Sequence, residues 1–332
     1  MALTALNHSA NEHVNYLDGW RGLAIALVLE GHFSGLIPLE TGRLGVDVFF
    51  CLSGYLMSGI LFIQRQPLSR FYKRRVSRIL PAFLVFVTVT YTFAFQNGDS
   101  FSVSEVISTL LFLRTYFPSE PGIWGTGIPI GHIWSLNIEE HCYIFMSLVV
   151  LLSLFRGREG ALLLVSGAGC IGIGFLYVKL GTQAPRWGSL GSEVAASHLL
   201  VSGGYRLISK QRGFVVPPYA PLLALAAAMI CYSKLVPWWS SSLLSPFLLA
   251  FSINHLSETY GEVKRLLATP IFRLLGIWSF SIYLWQQPFY AYKESIPGGV
   301  IVALAGAMVV AVCSYHVVEQ PCRSWLNERW QG

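Results

Sequence analysis

Residues 17–33 read LDGWRGLAIALVLEGHF. The apolar density is that of a membrane-crossing helix, yet the stretch holds Asp18, Arg21, Glu30 and His32. Ionisable side chains are costly in hydrocarbon, so those that occur there face a protein interior or a wet cavity and mark function. Arg21 and His32 are eleven residues apart. In an unbroken α-helix that leaves them about 20° apart after three turns and roughly 16 Å apart along the axis. Asp18 lies three residues before Arg21, within pairing reach. Glu30 sits about 200° around the helix from His32 and reads as a packing or pairing residue. Histidine exchanges protons near neutral pH, which suits a general base. The competing reading is a satisfied polar group packed between helices.

The rest of the chain has the same character. Of its 332 residues, 54% are hydrophobic and only 12% charged, where a soluble protein carries roughly 25% charged. Mean hydropathy is +0.54. Apolar runs long enough to span a bilayer occur near 17–37, 45–63, 79–96, 133–155, 161–179, 191–208, 217–235, 240–257, 272–291 and 297–318. The expectation is an all-α, polytopic membrane helical bundle of about ten spans, a single transmembrane domain over 1–332 with no appended soluble domain. If both ends are cytoplasmic, sixteen of the 23 Lys and Arg fall in inside loops and six outside, with Arg114 and Arg186 among the six. The positive-inside rule then selects N-in, C-in. The net charge of +6 reflects that topology and points to no nucleic-acid partner. No removable signal peptide is expected. Cys51, Cys142, Cys170, Cys231, Cys313 and Cys322 show no metal spacing and read as small hydrophobes, so neither disulfide nor metal is predicted.

Two further stretches carry charge into apolar surroundings. FYKRRVSRILP (71–81) concentrates Lys73, Arg74, Arg75 and Arg78. Arg75 and Arg78 share a helix face, and arginine suits bidentate phosphate recognition; the alternative is an ordinary basic cytoplasmic loop. HIWSLNIEEHCYIF (132–145) brings Glu139 and Glu140 to the outer end of a span, with Tyr143 one turn beyond Glu139. One carboxylate is suited to orient or charge-balance a histidine and the other to pair with an arginine, unless the stretch is only an interfacial anchor. Residues 102–117, SVSEVISTLLFLRTYF, have helical spacing inside a long loop and predict an interfacial or re-entrant helix. NGDS (97–100) looks like an esterase nucleophile box but lacks the rest of that domain.

In order along the chain, these blocks resemble the membrane-bound acyltransferase-3 family. LDGWRGLAIALVLEGHF resembles its first helix, with Arg, ten residues, then His. GVDVFFCLSGYLMSGIL (45–61) resembles its G-V-D-x-F-F-x-L-S-G-[FY] helix and contains Asp47. FYKRRVSRILP supplies R-x-x-R, and HIWSLNIEEHCYIF resembles W-S-L-x-x-E-x-x-x-Y. SFSIYLWQQPF (279–289), with Ser281, and VVEQPCRSW (317–325) resemble the closing blocks. Where many relatives have His after the Leu-Trp pair, this chain has Gln286.

The resemblance implies an acyl-CoA-dependent O-acyltransferase, most often an O-acetyltransferase, of the bacterial inner membrane. It would act on a hydroxyl of a cell-surface glycan, an exopolysaccharide or a lipid-linked sugar. His32 would be base or acyl acceptor. Arg21, Glu139 and Glu140 would assist, and Asp18, Asp47, Tyr143 and Ser281 would support them. Arg75 and Arg78, with Arg74 and Lys73, would bind the CoA phosphates. Acetyl-CoA or another acyl-CoA enters as co-substrate, with no tightly bound cofactor. The partners implied are acyl-CoA, the carbohydrate acceptor, the lipid bilayer and polysaccharide-assembly proteins. The competing class is a proton-coupled transporter or flippase of a lipid-linked saccharide. That class favours repeated halves with paired broken helices, and no such repeat is legible.

Overall fold

The ionisable first helix keeps its place without a continuous apolar surface, because glycine lets its neighbour approach closely. α1 (Ala2–Leu29) packs against a later bent pair, α12 (Gly261–Leu267) and α13 (Pro270–Ala291). A Cβ added at Gly22 would lie 2.0 Å from the Phe272 carbonyl oxygen, and one at Gly276 would lie 1.8 Å from that of Asp18. Where lipid surrounds both helices, such small-residue contacts stand in for hydrophobic burial. A computed structural model describes residues 2–125, 127–181 and 190–330; Arg186, expected in an outside loop, lies outside the described residues.

The remaining helices, in order, are α2 (Thr41–Ser58), α3 (Leu68–Gln96), α4 (Val103–Leu110), α5 (Trp134–Leu151) and α6 (Glu159–Leu180). Then come α7 (Ser192–Ala195), α8 (Ser197–Arg212), α9 (Ala220–Ile230), α10 (Ser240–Leu243) and α11 (Ser245–Asn254). α14 (Gly299–Ser314) and α15 (Gln320–Arg329) follow α13. Among the described residues the only strand-like pairing is an isolated bridge between Leu39 and Ser233. The all-helical expectation is met.

Four described helical stretches are long and apolar enough to cross a membrane: Thr41–Ile63, Leu68–Gln96, Glu159–Leu180 and Gly299–Arg329. The α12–α13 pair, bent by 56°, makes a fifth if it is one span. Ten were expected. The shortfall has two physical sources. α1 and α5 carry ionisable residues that lower their apolarity. α8, α9 and α11 have 16, 11 and 10 residues and so reach only about 24, 17 and 15 Å, short of the roughly 30 Å hydrocarbon core. In α6 and α14 most of the apolar window faces outward, only 22% of it being buried, whereas 61% is buried for α2. Each of those two helices therefore offers outward apolar surface, whereas α2 is buried within its unit.

The chain divides into two interleaved compact units. The first comprises Met1–Gly59, Phe155–Ala168 and Ser197–Ser279; the second comprises Ile60–Leu154, Gly169–Ala196 and Phe280–Gly332. The first unit is built on α1, α2, α8, α9 and α11, with Trp20, Ala24, Leu44, Val48, Cys51, Leu249 and Ile253 in its core. The G of its L-S-G-Y block is where α2 closely approaches α8: a Cβ at Gly54 would sit 2.1 Å from the Leu199 carbonyl oxygen.

In the second unit the basic cluster of 71–81 is not a loop but the opening turns of α3. Pro67, which cannot continue a helix backward as a donor, precedes it, and the helix runs through the apolar run expected at 79–96 and ends with it at Gln96. The helix anticipated within 102–117 is shorter than its periodicity suggested. Ser102 and Glu105 form a capping box at its start, and Phe112 takes a left-handed φ of 59° just past its end. Arg114 is fully buried. It pairs with Glu105 at 3.3 Å and donates to the Pro121 and Pro118 carbonyls at 2.7 and 3.2 Å. It therefore anchors the long loop from within, which a topology count of loop cations cannot foresee.

Candidate active site

In the first unit, α1 does not continue as an α-helix to His32. Residues Glu30–Ser34 form a π-turn, closed by Gly35 N–H donating to the Glu30 carbonyl at 2.8 Å, with Gly35 at φ 57°. Such i→i+5 turns are rare and concentrate at functional positions. The wider turn changes the rotation per residue, so the 20° offset expected between Arg21 and His32 in an unbroken helix does not carry over. The Glu30 carboxylate explains how the turn is held. It accepts from the Ile37 N–H at 2.8 Å, from the Ser34 hydroxyl at 3.3 Å and from the Thr41 hydroxyl. It thus ties the end of α1 to the start of α2. Gly31 and Gly42 meet there, a Cβ on Gly31 falling 2.4 Å from the Gly42 nitrogen. The His32 imidazole rests over Gly42, where a Cβ would lie 3.6 Å from Cδ2 and 3.7 Å from Nε2. A Cβ at position 42 would make ordinary van der Waals contact with that ring. Deeper in α1, Arg21 Nη2 donates to Ser279 Oγ at 3.0 Å, a partner on the closing S-x-S block. Asp18 lies against α13 through its backbone.

One residue beyond Gly42 begins a buried polar network. Asp47 Oδ2 accepts from Arg43 Nε at 3.0 Å and from the Tyr232 hydroxyl at 2.7 Å. The Tyr232 hydroxyl also meets Ser245 Oγ at 2.7 Å, and His198 Nε2 lies 3.2 Å from the same Ser245 oxygen. His198 Nδ1 stands 3.5 Å from Asp47 Oδ1. Asp47, expected in a supporting role, is the hub that aims Arg43. His198, Tyr232 and Ser245 were missed. A lone histidine on a glycine-broken apolar run has no local signature, and its partners lie on α2, just beyond α9 and on α11.

In the second unit, Arg75 Nη2 donates to Glu140 Oε1 at 2.9 Å and lies 3.6 Å from Glu139 Oε2, while its guanidinium stacks 3.8 Å from the Tyr143 ring centre. The structure thus gathers Arg75, Glu139, Glu140 and Tyr143 into one cluster. The charge of Arg75 is already offset, which sets it apart from the exposed Lys73 and Arg74; Arg78 is half-buried. The closing blocks also meet here. Ser281 Oγ donates to Glu319 Oε2 at 2.7 Å, and Glu319 ends another π-turn, Tyr315–Glu319. The Tyr283 hydroxyl donates to the His132 carbonyl at 2.8 Å and meets Ser135 Oγ at 2.7 Å. Gln286 is fully buried. In the loop, Tyr116 donates to Glu193 at 2.5 Å and accepts from Ser192 N–H at 2.6 Å. Burial, reinforced by that carboxylate, pushes its hydroxyl up to about 12.

The fold and these sites define a helical membrane protein whose ionisable groups are gathered within it. The acyltransferase domain family matches residues 14–316, and the chain belongs to that acyltransferase-3 family. It is 26% identical to the peptidoglycan O-acetyltransferase OatA of Listeria monocytogenes, over 95% of this chain and 56% of that protein. It is likewise 26% identical to the O-acetyltransferase OatA of Staphylococcus aureus, over 92% of this chain and 57% of that protein. The chain thus spans little more than half the length of these relatives. No solved structure matches it.

Proposed function

We propose that this chain is an O-acetyltransferase of the bacterial inner membrane, moving an acetyl group from acyl-CoA to a hydroxyl of a cell-envelope glycan. The family match over 14–316, with relatives named for O-acetyl transfer, carries this reading. The π-turn that holds His32 against Gly42 supports His32 as the base. The acceptor oxygen attacks the thioester carbonyl carbon as a His32 ring nitrogen takes the hydroxyl proton. Collapse of the tetrahedral intermediate breaks the C–S bond. CoA leaves as a thiolate and regains a proton to become the thiol, and the acetyl group ends as an ester. Arg43, aimed by Asp47, supplies fixed positive charge one residue beyond Gly42. Lys73, Arg74 and Arg78 supply a cationic surface for phosphates, while Arg75 with Glu139 and Glu140 stiffens the start of α3.

The same proposal places both ends of the chain on the cytoplasmic side, supported by the distribution of Lys and Arg. It is tested with the purified chain in proteoliposomes, by following release of the CoA thiol from acetyl-CoA with and without a lipid-linked disaccharide. Acceptor-dependent release is expected. Acceptor uptake with no thiol release from any acyl-CoA would contradict it.

A further inference from the structure

Arg206, near the end of α8 in the first unit, differs from Arg43, Arg75 and Arg114. Arg43, Arg75 and Arg114 each meet a carboxylate. Arg206 instead lays its guanidinium over the Tyr55 ring, 4.2 Å from the ring centre; its buried Nε, like those of Arg75 and Arg114, has no hydrogen-bond partner. Tyr16 is close enough to feel the charge of both Arg206 and Tyr55. Stacking uses the face of a guanidinium and leaves its edge, where all five N–H donors lie. A buried N–H without an acceptor is costly, so a stacked arginine with an unanswered edge is shaped to receive one.

The neighbouring residue shows that this part of α8 is held firmly. The Tyr205 hydroxyl meets His255 Nε2 at 2.8 Å, and His255 Nδ1 lies 2.9 Å from Glu258 Oε1. Glu258 Oε2 in turn accepts from the Val216 N–H at 2.8 Å. The Glu258 carboxylate is thereby committed to His255 and to backbone.

We infer that Arg206, stacked on Tyr55 beside Tyr16, is an anion site whose ligand is a phosphate group. The inference deepens the acyl-CoA reading and rests on it for the identity of the ligand, since CoA carries phosphates and the end of α8 belongs to the cytoplasmic face in the proposed topology. A phospholipid headgroup offers the same chemistry. A planar guanidinium fork matches two phosphate oxygens, while the tyrosine face fixes the plane of the fork.

The test measures CoA binding by calorimetry, with the full chain in nanodiscs made with and without phosphatidylglycerol. R206Q is expected to weaken CoA binding about tenfold to a hundredfold, the range for a lost charged hydrogen bond. R206K, keeping charge but losing the fork, falls between, and the exposed K210Q binds as the parent does. Acetyl-pantetheine, which lacks phosphate, should bind parent and R206Q equally. If the R206Q effect instead follows phosphatidylglycerol content, the phosphate is the headgroup's and the site stands. R206Q binding CoA as tightly as the parent, with no lipid dependence, would overturn the site. A parent that binds CoA through Arg206 but acetylates nothing would leave the site intact and defeat the transferase reading, so the two failures are separable.

Discussion

At the scale of the residue, the proposed chemistry rests on His32, and the Glu30 carboxylate holds the turn on which His32 sits. Replacing His32 by Gln keeps a polar side chain but removes a group that titrates near neutrality. Transfer should fall about a hundredfold to ten-thousandfold in protein that still inserts at normal level, read by CoA-thiol release. Glu30→Ala removes the acceptor for the Ile37 N–H and the Thr41 hydroxyl. It should lower transfer while leaving the helices folded, checked by activity and circular dichroism on the same sample. Asp47→Ala is a different kind of change. It leaves the Arg43 guanidinium and the Tyr232 hydroxyl without their buried carboxylate, and removing one partner of a buried pair costs about 3–5 kcal/mol. Its signature is lost thermal stability in detergent, with activity lost in parallel.

At the scale of the element, glycines set how closely helices approach, and they differ sharply. Gly54→Ala drives a methyl to 2.1 Å from the Leu199 carbonyl, whereas Gly172 in α6 has open space around it. The first should force α2 and α8 apart and cost about 1–3 kcal/mol or more. The second should be neutral or slightly stabilising, since alanine is the better helix former. Thermal shift of the two variants side by side checks the contrast. The helices themselves were legible because apolar runs and cap residues are local. Ser102 and Glu105 announce the start of α4 in four residues. The π-turns at Glu30–Ser34, Gly59–Ile63 and Tyr315–Glu319 were not legible. Each depends on one backbone bond chosen by tertiary contacts, such as those of Thr41 with Glu30. His198 was hidden for the same reason: its partners Asp47 and Ser245 lie 151 and 47 residues away.

At the scale of the whole molecule, the family blocks turn out to be joints within each unit. Arg21 joins the first block to Ser279, Tyr283 joins the closing block to Ser135, and Ser281 joins it to Glu319. Order and composition identified these blocks in the sequence, but the pairings between them are long-range and needed the fold. The proposed topology makes its own prediction: a green fluorescent protein fused after residue 332 should fluoresce, and alkaline phosphatase fused there should be inactive. The central claim is His32-dependent acetyl transfer. It is tested most directly by giving isotopically labelled acetyl-CoA to proteoliposomes of the parent chain and of H32Q, with a lipid-linked glycan acceptor, and weighing the glycan by mass spectrometry. The account predicts a labelled O-acetyl ester with the parent and almost none with H32Q; equal labelling by both would contradict it.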